Sequence, residues 1–204
     1  NSKELPGDYR YVDANGDGII DDNDRMPLFW SGTPLIHYGF NLEASWKNFD
    51  IYALLQGAGM YTVQFSEVYA EVLWSKGANT PAYFYDRWRK EDPYNPNSKW
   101  VAGKWPATRL IQDTGAMYKE SNIWRRDASY LRLKTLELGY TLPDSILRKS
   151  GISNIRFYIN GYNLLTFCDS FVKAFDPEKV EGSYSAGMNY PLTKSFNIGF
   201  TANF

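Results

Sequence analysis

Every second residue at the end of this chain is apolar. Phe196, Ile198, Phe200, Ala202 and Phe204 alternate with Ser195, Asn197, Gly199, Thr201 and Asn203. Successive strand side chains point to opposite faces, so the pattern predicts a strand with one greasy face and one small, polar face. The alternation runs to the last residue, where a soluble domain more often frays into polar chain. A second block repeats it, with Tyr38, Phe40, Leu42, Ala44 and Trp46 set against Gly39, Asn41, Glu43 and Ser45. After Lys47-Asn48 the apolar register resumes at Phe49, Ile51, Ala53 and Leu55. Two residues between alternating runs, one an Asn that tolerates positive φ, predict a tight hairpin. Its turn gathers Trp46 and Phe49 beside Tyr52. Such a cluster at strand ends suits a membrane interface, although cross-strand packing on a soluble sheet uses the same residues.

Two further strands follow. From Ser129 to Tyr140, Leu131 and Leu133 fall on one parity, and Leu136, Leu138 and Tyr140 on the other. A slip of parity inside one strand predicts a β-bulge near Lys134-Thr135. Ile155, Phe157 and Ile159 then alternate with Arg156, Tyr158 and Asn160. Between these strands, Pro143 to Ser153 fits one helical turn stopped at Gly151.

The expected organisation is all-β, with about five antiparallel strands joined by connections that alternate short and long. Outer-membrane barrels have that rhythm, with short periplasmic turns and long external loops. Residues 1–34 would form an extracellular loop, 35–59 a hairpin and 60–127 a long aromatic-rich extracellular loop. Residues 128–204 would hold the last three strands, with a periplasmic turn at 142–153 and an extracellular loop at 167–193. Five strands cannot close, and an open edge is not tolerated in lipid. The expectation is therefore the end of a larger transmembrane barrel. The start, Asn1-Ser2-Lys3, fits a mature or partial chain.

Composition removes several chemistries. The 22 Lys+Arg against 23 Asp+Glu give a net charge of −1, so no cationic footprint points to nucleic acid. One His and one Cys exclude zinc sites built from His/Cys sets, disulfide frameworks and CxxC redox pairs. A Ser-His-Asp arrangement would have to use His37, which precedes a strand and reads better as an interface residue. Cys168, at a strand end, reads as inert. No run of about 18 apolar residues could form a spanning helix. A mean hydropathy of −0.46 does not count against spanning strands, whose signal is alternation.

The strongest short motif is acidic. Asp13, Asn15, Asp17, Asp21 and Asp24 place side-chain oxygens at positions 1, 3, 5, 9 and 12 of a loop, with Gly18 at position 6. That is the spacing of an EF-hand calcium loop, with the Ile19 carbonyl supplying position 7. Asp24 stands where an EF-hand has Glu, and Gly7 to Val12 is no helix, so the loop looks more like a dockerin repeat. The alternative is an Asp/Asn/Gly turn without metal. Structural Ca²⁺ is expected, bracing an external loop.

Several stretches carry a family likeness. They include Gly7-Asp8-Tyr9-Arg10-Tyr11-Val12-Asp13 leading into the acidic loop, Tyr38-Gly39-Phe40-Asn41-Leu42 ahead of Trp46-Lys47-Asn48-Phe49-Asp50, and Asp86-Arg87-Trp88. More specific are Arg126-Asp127-Ala128-Ser129-Tyr130-Leu131-Arg132-Leu133-Lys134 and Leu138-Gly139-Tyr140-Thr141-Leu142-Pro143. Gly151-Ile152-Ser153, Gly161-Tyr162-Asn163-Leu164-Leu165-Thr166-Phe167 and the Phe204 ending complete the set. From about residue 7 onward the chain resembles the C-terminal region of the SusC/RagA family of TonB-dependent outer-membrane transporters of Bacteroidetes. The resemblance implies a large barrel in the outer membrane, in contact with lipid and lipopolysaccharide, with a plug and a TonB-contacting segment upstream. It also implies a SusD-like surface lipoprotein as lid, energised import of oligosaccharides or peptides, and no enzymatic activity. Phe200 and Phe204 would form the signal read by the barrel-assembly machinery.

The long loop holds Trp74, Trp88, Trp100, Trp105 and Trp124. Exposed aromatics stack on sugars and anchor interfaces, so substrate or lid contact is one role and a small core within the loop is the other. Arg125-Arg126-Asp127 could be an ion-pair cluster at the rim, and Lys47 and Lys194 solvated charges. The rival function is a secreted, calcium-braced β-sandwich that binds carbohydrate through its tryptophans. A glycoside hydrolase would need two placed carboxylates, and no spacing among Glu43, Asp127 and Glu137 supports a pair.

Overall fold

The computed structural model describes residues 5–65, 80–108, 121–148, 151–179 and 190–204. Among them nine strands occur: β1 (Ile36–Trp46), β2 (Phe49–Gly59), β3 (Thr62–Gln64), β4 (Arg89–Lys90), β5 (Trp100–Val101), β6 (Arg125–Asp127), β7 (Tyr130–Thr141), β8 (Asn154–Phe167) and β9 (Ser195–Asn203). The chain forms two compact units, Asn1–Phe29 with Gln64–Arg125, and Trp30–Val63 with Arg126–Phe204.

The second unit is built on a five-stranded antiparallel sheet in the order β1-β2-β7-β8-β9. These strands are the five read from period-two alternation. The β1 and β2 runs meet in full register from Trp46↔Phe49 to Ile36↔Gly59. At roughly 3.3 Å per residue, strands of 9 to 14 residues have the length a tilted membrane-spanning strand requires.

The bulge falls where the parity slip predicts. Leu55 pairs with Leu133 and Leu54 with Thr135, leaving Lys134 as the extra residue. Its effect is specific: Leu131 and Leu133 above it share a face with Leu136 and Leu138 below it. Without the bulge, one pair would turn to the polar side. The next strand compensates, since Tyr162 pairs with Thr135 and Leu165 with Leu133, which inserts a residue near Asn163 (φ 54).

Two turn details differ from expectation. The left-handed residue between β1 and β2 is Lys47 (φ 54), not Asn48. Its ammonium lies 4.5 Å from the Trp46 ring centroid, an attraction that offsets part of the strain. Tyr52 does not join Trp46 and Phe49, because it pairs with Glu43 and Glu137 on the opposite face. The connection after β7 does contain one helical turn, Asp144–Leu147, and Gly151 adopts φ 74.

The first unit organises part of the 60–127 stretch around aromatic rings. Phe65 and Phe84 are fully buried, and Trp105 and Trp124 nearly so. The two indoles stack at 5.5 Å, with Phe84 5.5 Å from Trp105. A short helical turn, Ala82–Asp86, and the β4–β5 ladder surround this cluster in sequence.

Candidate functional site

The five-stranded sheet has two chemically opposite faces, and both follow from register. On one face, Trp46, Phe49, Tyr140, Phe157 and Phe200 are cross-strand neighbours, so a single aromatic row traverses all five strands beside the short turns. Phe49 and Tyr140 lie 4.7 Å apart and Phe157 and Phe200 6.2 Å. The next row is Ala44, Ile51, Leu138, Ile159 and Ile198, entirely aliphatic. Toward the other strand ends come Phe40 with Leu55, Leu133 and Leu165, then Tyr38, Leu131 and Phe167. Tyr38 crosses over Gly57, where an added Cβ would lie 2.3 Å from its ring, and donates to the Tyr130 carbonyl at 2.7 Å.

No charged residue occupies this face among the described residues. Its side chains are nevertheless exposed: Phe40 by 57%, Ile159 by 51% and Ile198 by 88%. Each large apolar side chain left in water forgoes roughly 1.5–3 kcal/mol. A sandwich would cover this face with a second sheet, and the rival soluble reading expects that burial. The aromatic edge, aliphatic middle and aromatic far end instead match a lipid-facing band with interfacial girdles.

The opposite face is polar and cross-linked. Arg156 of β8 donates from Nε to Asp50 of β2 at 3.1 Å, from Nη2 to the second Asp50 oxygen, and from Nη2 to Glu137 of β7 at 2.7 Å. Glu137 accepts from Asn160 at 3.1 Å, and Asn160 accepts from Asn197 of β9 at 2.9 Å. The pair must pass over β7 at Gly139, where a Cβ would lie 2.3 Å from Arg156 and 2.4 Å from Asp50. A side chain there would push the partners apart. Glu137 is thus committed to an ion pair, Glu43 lies opposite Tyr52, and Asp127 accepts from the Ser129 N–H at 2.8 Å. Arg126, expected in a rim ion-pair cluster with Asp127, lies 5.5 Å from the Phe171 ring.

These ionic residues were not singled out together from sequence. The available signal was their position on the polar parity of otherwise apolar strands, at Asp50, Arg132, Glu137 and Arg156.

The acidic loop is closed by its own hydrogen bonds. Asp24 accepts from Ala14 and Asp21 N–H groups, both at 2.8 Å, and Asp13 accepts from Gly16 at 2.7 Å and Gly18 at 2.8 Å. Asn15 accepts from Asp17, Asp17 from Ile19, and Asp21 from Asn23. Gly16 and Gly18 supply the left-handed backbone, at φ 77 and 81. The Asp21 N–H holds the Asp24 carboxyl below its ordinary pKa, aided by the Ala14 and Asn15 N–H groups. Among the described residues, no three His, Cys, Asp or Glu groups converge in a metal-binding arrangement. The donor set is all oxygen, which suits a hard cation, and each carboxylate keeps lone pairs beyond those given to the backbone.

The tryptophans divide. Trp105 is packed among Tyr83, Phe84 and Trp124 and presents no face to a ligand. Trp88 is half-buried, with its ring against Gly7. Trp100 is half-buried beneath the Lys90 ammonium at 4.7 Å. Trp74 lies outside the described residues. Phe200 belongs to the aromatic row, and Phe204 is 91% exposed just beyond β9. Cys168 is half-buried, and burial raises its thiol pKa, which lowers its nucleophilicity at neutral pH.

A sheet apolar on one side, ion-paired on the other and open at both edges is a section of a large transmembrane β-barrel. No family model matches the sequence. The chain is 32% identical over 210 residues to TonB-dependent receptor P3 of Formosa agariphila and 30% identical over 217 residues to TonB-dependent receptor P26 of the same organism. Each match covers 98% of this chain but only 19% and 20% of the relative, so the chain spans about a fifth of their length. Among solved structures, the RagAB peptide importer in its open-open state matches with a TM-score of 0.60 and 27% identity, over 86% of this chain and 18% of that one. Its closed-closed state matches at 0.63 and 25%, over 96% and 20%. The chain is thus similar to one section of TonB-dependent receptors and of the RagAB importer, as its resemblance to the SusC/RagA family implies.

Proposed function

We propose that the protein to which this chain belongs imports an oligomeric nutrient, an oligosaccharide or a peptide, across the outer membrane. The five strands form part of the barrel wall, with their aromatic and aliphatic rows in lipid and lipopolysaccharide and the Asp50–Arg156–Glu137 face toward the lumen. The observation that carries this reading is the charge-free band from the Trp46–Phe200 aromatic row to Tyr38 and Phe167, opposite an ion-paired face. Import is driven by TonB acting on a region outside this chain, and a SusD-like lipoprotein covers the external mouth. The naming of the RagAB neighbours as a peptide importer supports the peptide branch for those proteins and makes peptides the first substrates to try. Phe200 and Phe204 serve the barrel-assembly machinery, and Trp88 and Trp100 remain candidate lid or substrate contacts. Ca²⁺ in the Asp13–Asp24 loop, held by Asp13, Asn15, Asp17, Asp21, Asp24 and the Ile19 carbonyl, stiffens an external segment.

The test is uptake by cells that carry the full-length protein, using labelled peptides and oligosaccharides with and without a functional TonB. TonB-dependent accumulation of either class, with the protein in the outer-membrane fraction and a surface lipoprotein co-purifying, is the expected result. A protein found only in the soluble fraction would overturn the proposal.

A further inference from the structure

Among the described residues, the polar face of the sheet is covered at one end of β7. Tyr130 and Arg132 of β7, at the end away from the short turns, are only 6% and 3% exposed. Arg132 pairs with Gln56 on the parity of Asp50, so its side chain lies on the polar side of the sheet. The segment that meets it is the connection between β8 and β9. Asp169 caps a helical turn there, Ser170–Lys173, by accepting from the Phe171 and Val172 N–H groups. Val172 has no exposed surface. The chain then turns at Asp176, a left-handed residue with φ 66.

Asp176 and Glu178 reach Arg132 at 2.5 and 2.6 Å. Glu178 also takes the Lys134 ammonium at 2.9 Å. Two cations thus face two carboxylates, and Thr166 accepts the remaining Arg132 Nε–H at 3.0 Å. Asp176 accepts from the Leu192 N–H at 2.7 Å, and the buried Tyr61 hydroxyl donates to the Pro177 carbonyl at 2.9 Å. Burying a guanidinium this deeply is tolerated only where charge and hydrogen bonds are both matched. Lys134 is the bulge residue, so the irregularity that keeps the β7 leucines outward also supplies the second cation.

We infer that residues 169–179, the first part of the β8–β9 connection, fold into the barrel lumen as a wall element latched by Arg132, narrowing the mouth through which substrate enters. The inference rests on the importer reading, which makes the polar face the lumen and the long connections external. A segment bound to the inner wall takes up part of the lumen cross-section, and its matched ion pairs hold it there through a transport cycle.

The test uses the full-length protein in outer membranes with Cys168→Ser and any other cysteines replaced. Val172→Cys is probed with a water-soluble maleimide, against Ser170→Cys on the exposed side of the same turn. The Val172 position should label about a hundredfold more slowly than the Ser170 position, and Arg132→Met or Glu178→Gln should remove most of that protection. Equal rates in the otherwise unaltered protein would overturn the inference, as would protection that survives both latch variants. Glu178→Gln keeps the test decisive where Arg132→Met fails to assemble. A failed importer reading would show differently, as a protein absent from the outer membrane whatever its labelling rates.

Discussion

Ile159 and Asn160 are neighbours in β8 and live in different solvents. Ile159 sits in the aliphatic row between Leu138 and Ile198, exposed by 51% in this chain, whereas Asn160 bridges Glu137 and Asn197. Among the described residues one face carries no charge, and its side-chain polar atoms are confined to tyrosine and tryptophan rings near the strand ends. The other joins β2, β7, β8 and β9 through carboxylate, guanidinium and amide groups. In a soluble protein the first face would be buried and the second wetted. Here the wetted face is the inner one, because the hydrocarbon lies outside.

The contrast can be broken from the apolar side. Ile159→Arg places a charge in the aliphatic row one step inside the aromatic edge and should cost roughly 1–3 kcal/mol, against under about 1 kcal/mol for Asn197→Arg on the polar face. The measurement is the yield of folded, heat-modifiable barrel in outer membranes for each variant. Equal yields would remove the distinction between the faces.

The polar side is tested at Gly139. Gly139→Ala sets a methyl where Arg156 and Asp50 now meet, and should cost about 1–3 kcal/mol. A lower thermal midpoint in detergent, with Asp50→Ala giving little further loss in that background, would show that both changes act on one interaction.

How much of this was legible in the sequence depends on the range of the cause. The strands and the Lys134 bulge were readable because parity is local, and a slip between Leu133 and Leu136 has one economical explanation. The ion pairs were not, because Asp50 and Arg156 stand 106 residues apart and only register brings them over Gly139. The Lys47-Asn48 turn is legible too, but propensity favours Asn48 as its left-handed residue, while the observed turn puts Lys47 there with its amine over Trp46. Trp105 and Trp124 carry no period, so their burial in one cluster could not be separated from exposure on a binding surface. The acidic loop announced its oxygens through spacing alone, and the closure of Asp24 onto Ala14 follows that spacing.

Smaller effects sharpen the comparison at its edges. Lys47→Gly relieves a left-handed non-glycine residue but loses the contact with Trp46, so a net gain of no more than about 1 kcal/mol is expected in the thermal midpoint. The acidic loop should respond to pH independently of the sheet. The folded Asp24 pKa lies below the ordinary value of about 3.9, so the stabilisation from its N–H partners is fully present above that value. It is lost as pH falls through the depressed folded pKa. Faster hydrogen exchange at Ala14 and Asp21 in acid, with the sheet unchanged, is the expected signature.

The most direct test labels two adjacent positions of β9 in the full-length protein in its membrane. Ile198→Cys should react with a lipid-phase photoactivated probe and resist a water-soluble maleimide, and Asn197→Cys should do the reverse. Equal reaction of both positions with the aqueous reagent would contradict the assignment of the apolar face to lipid, and with it the barrel reading.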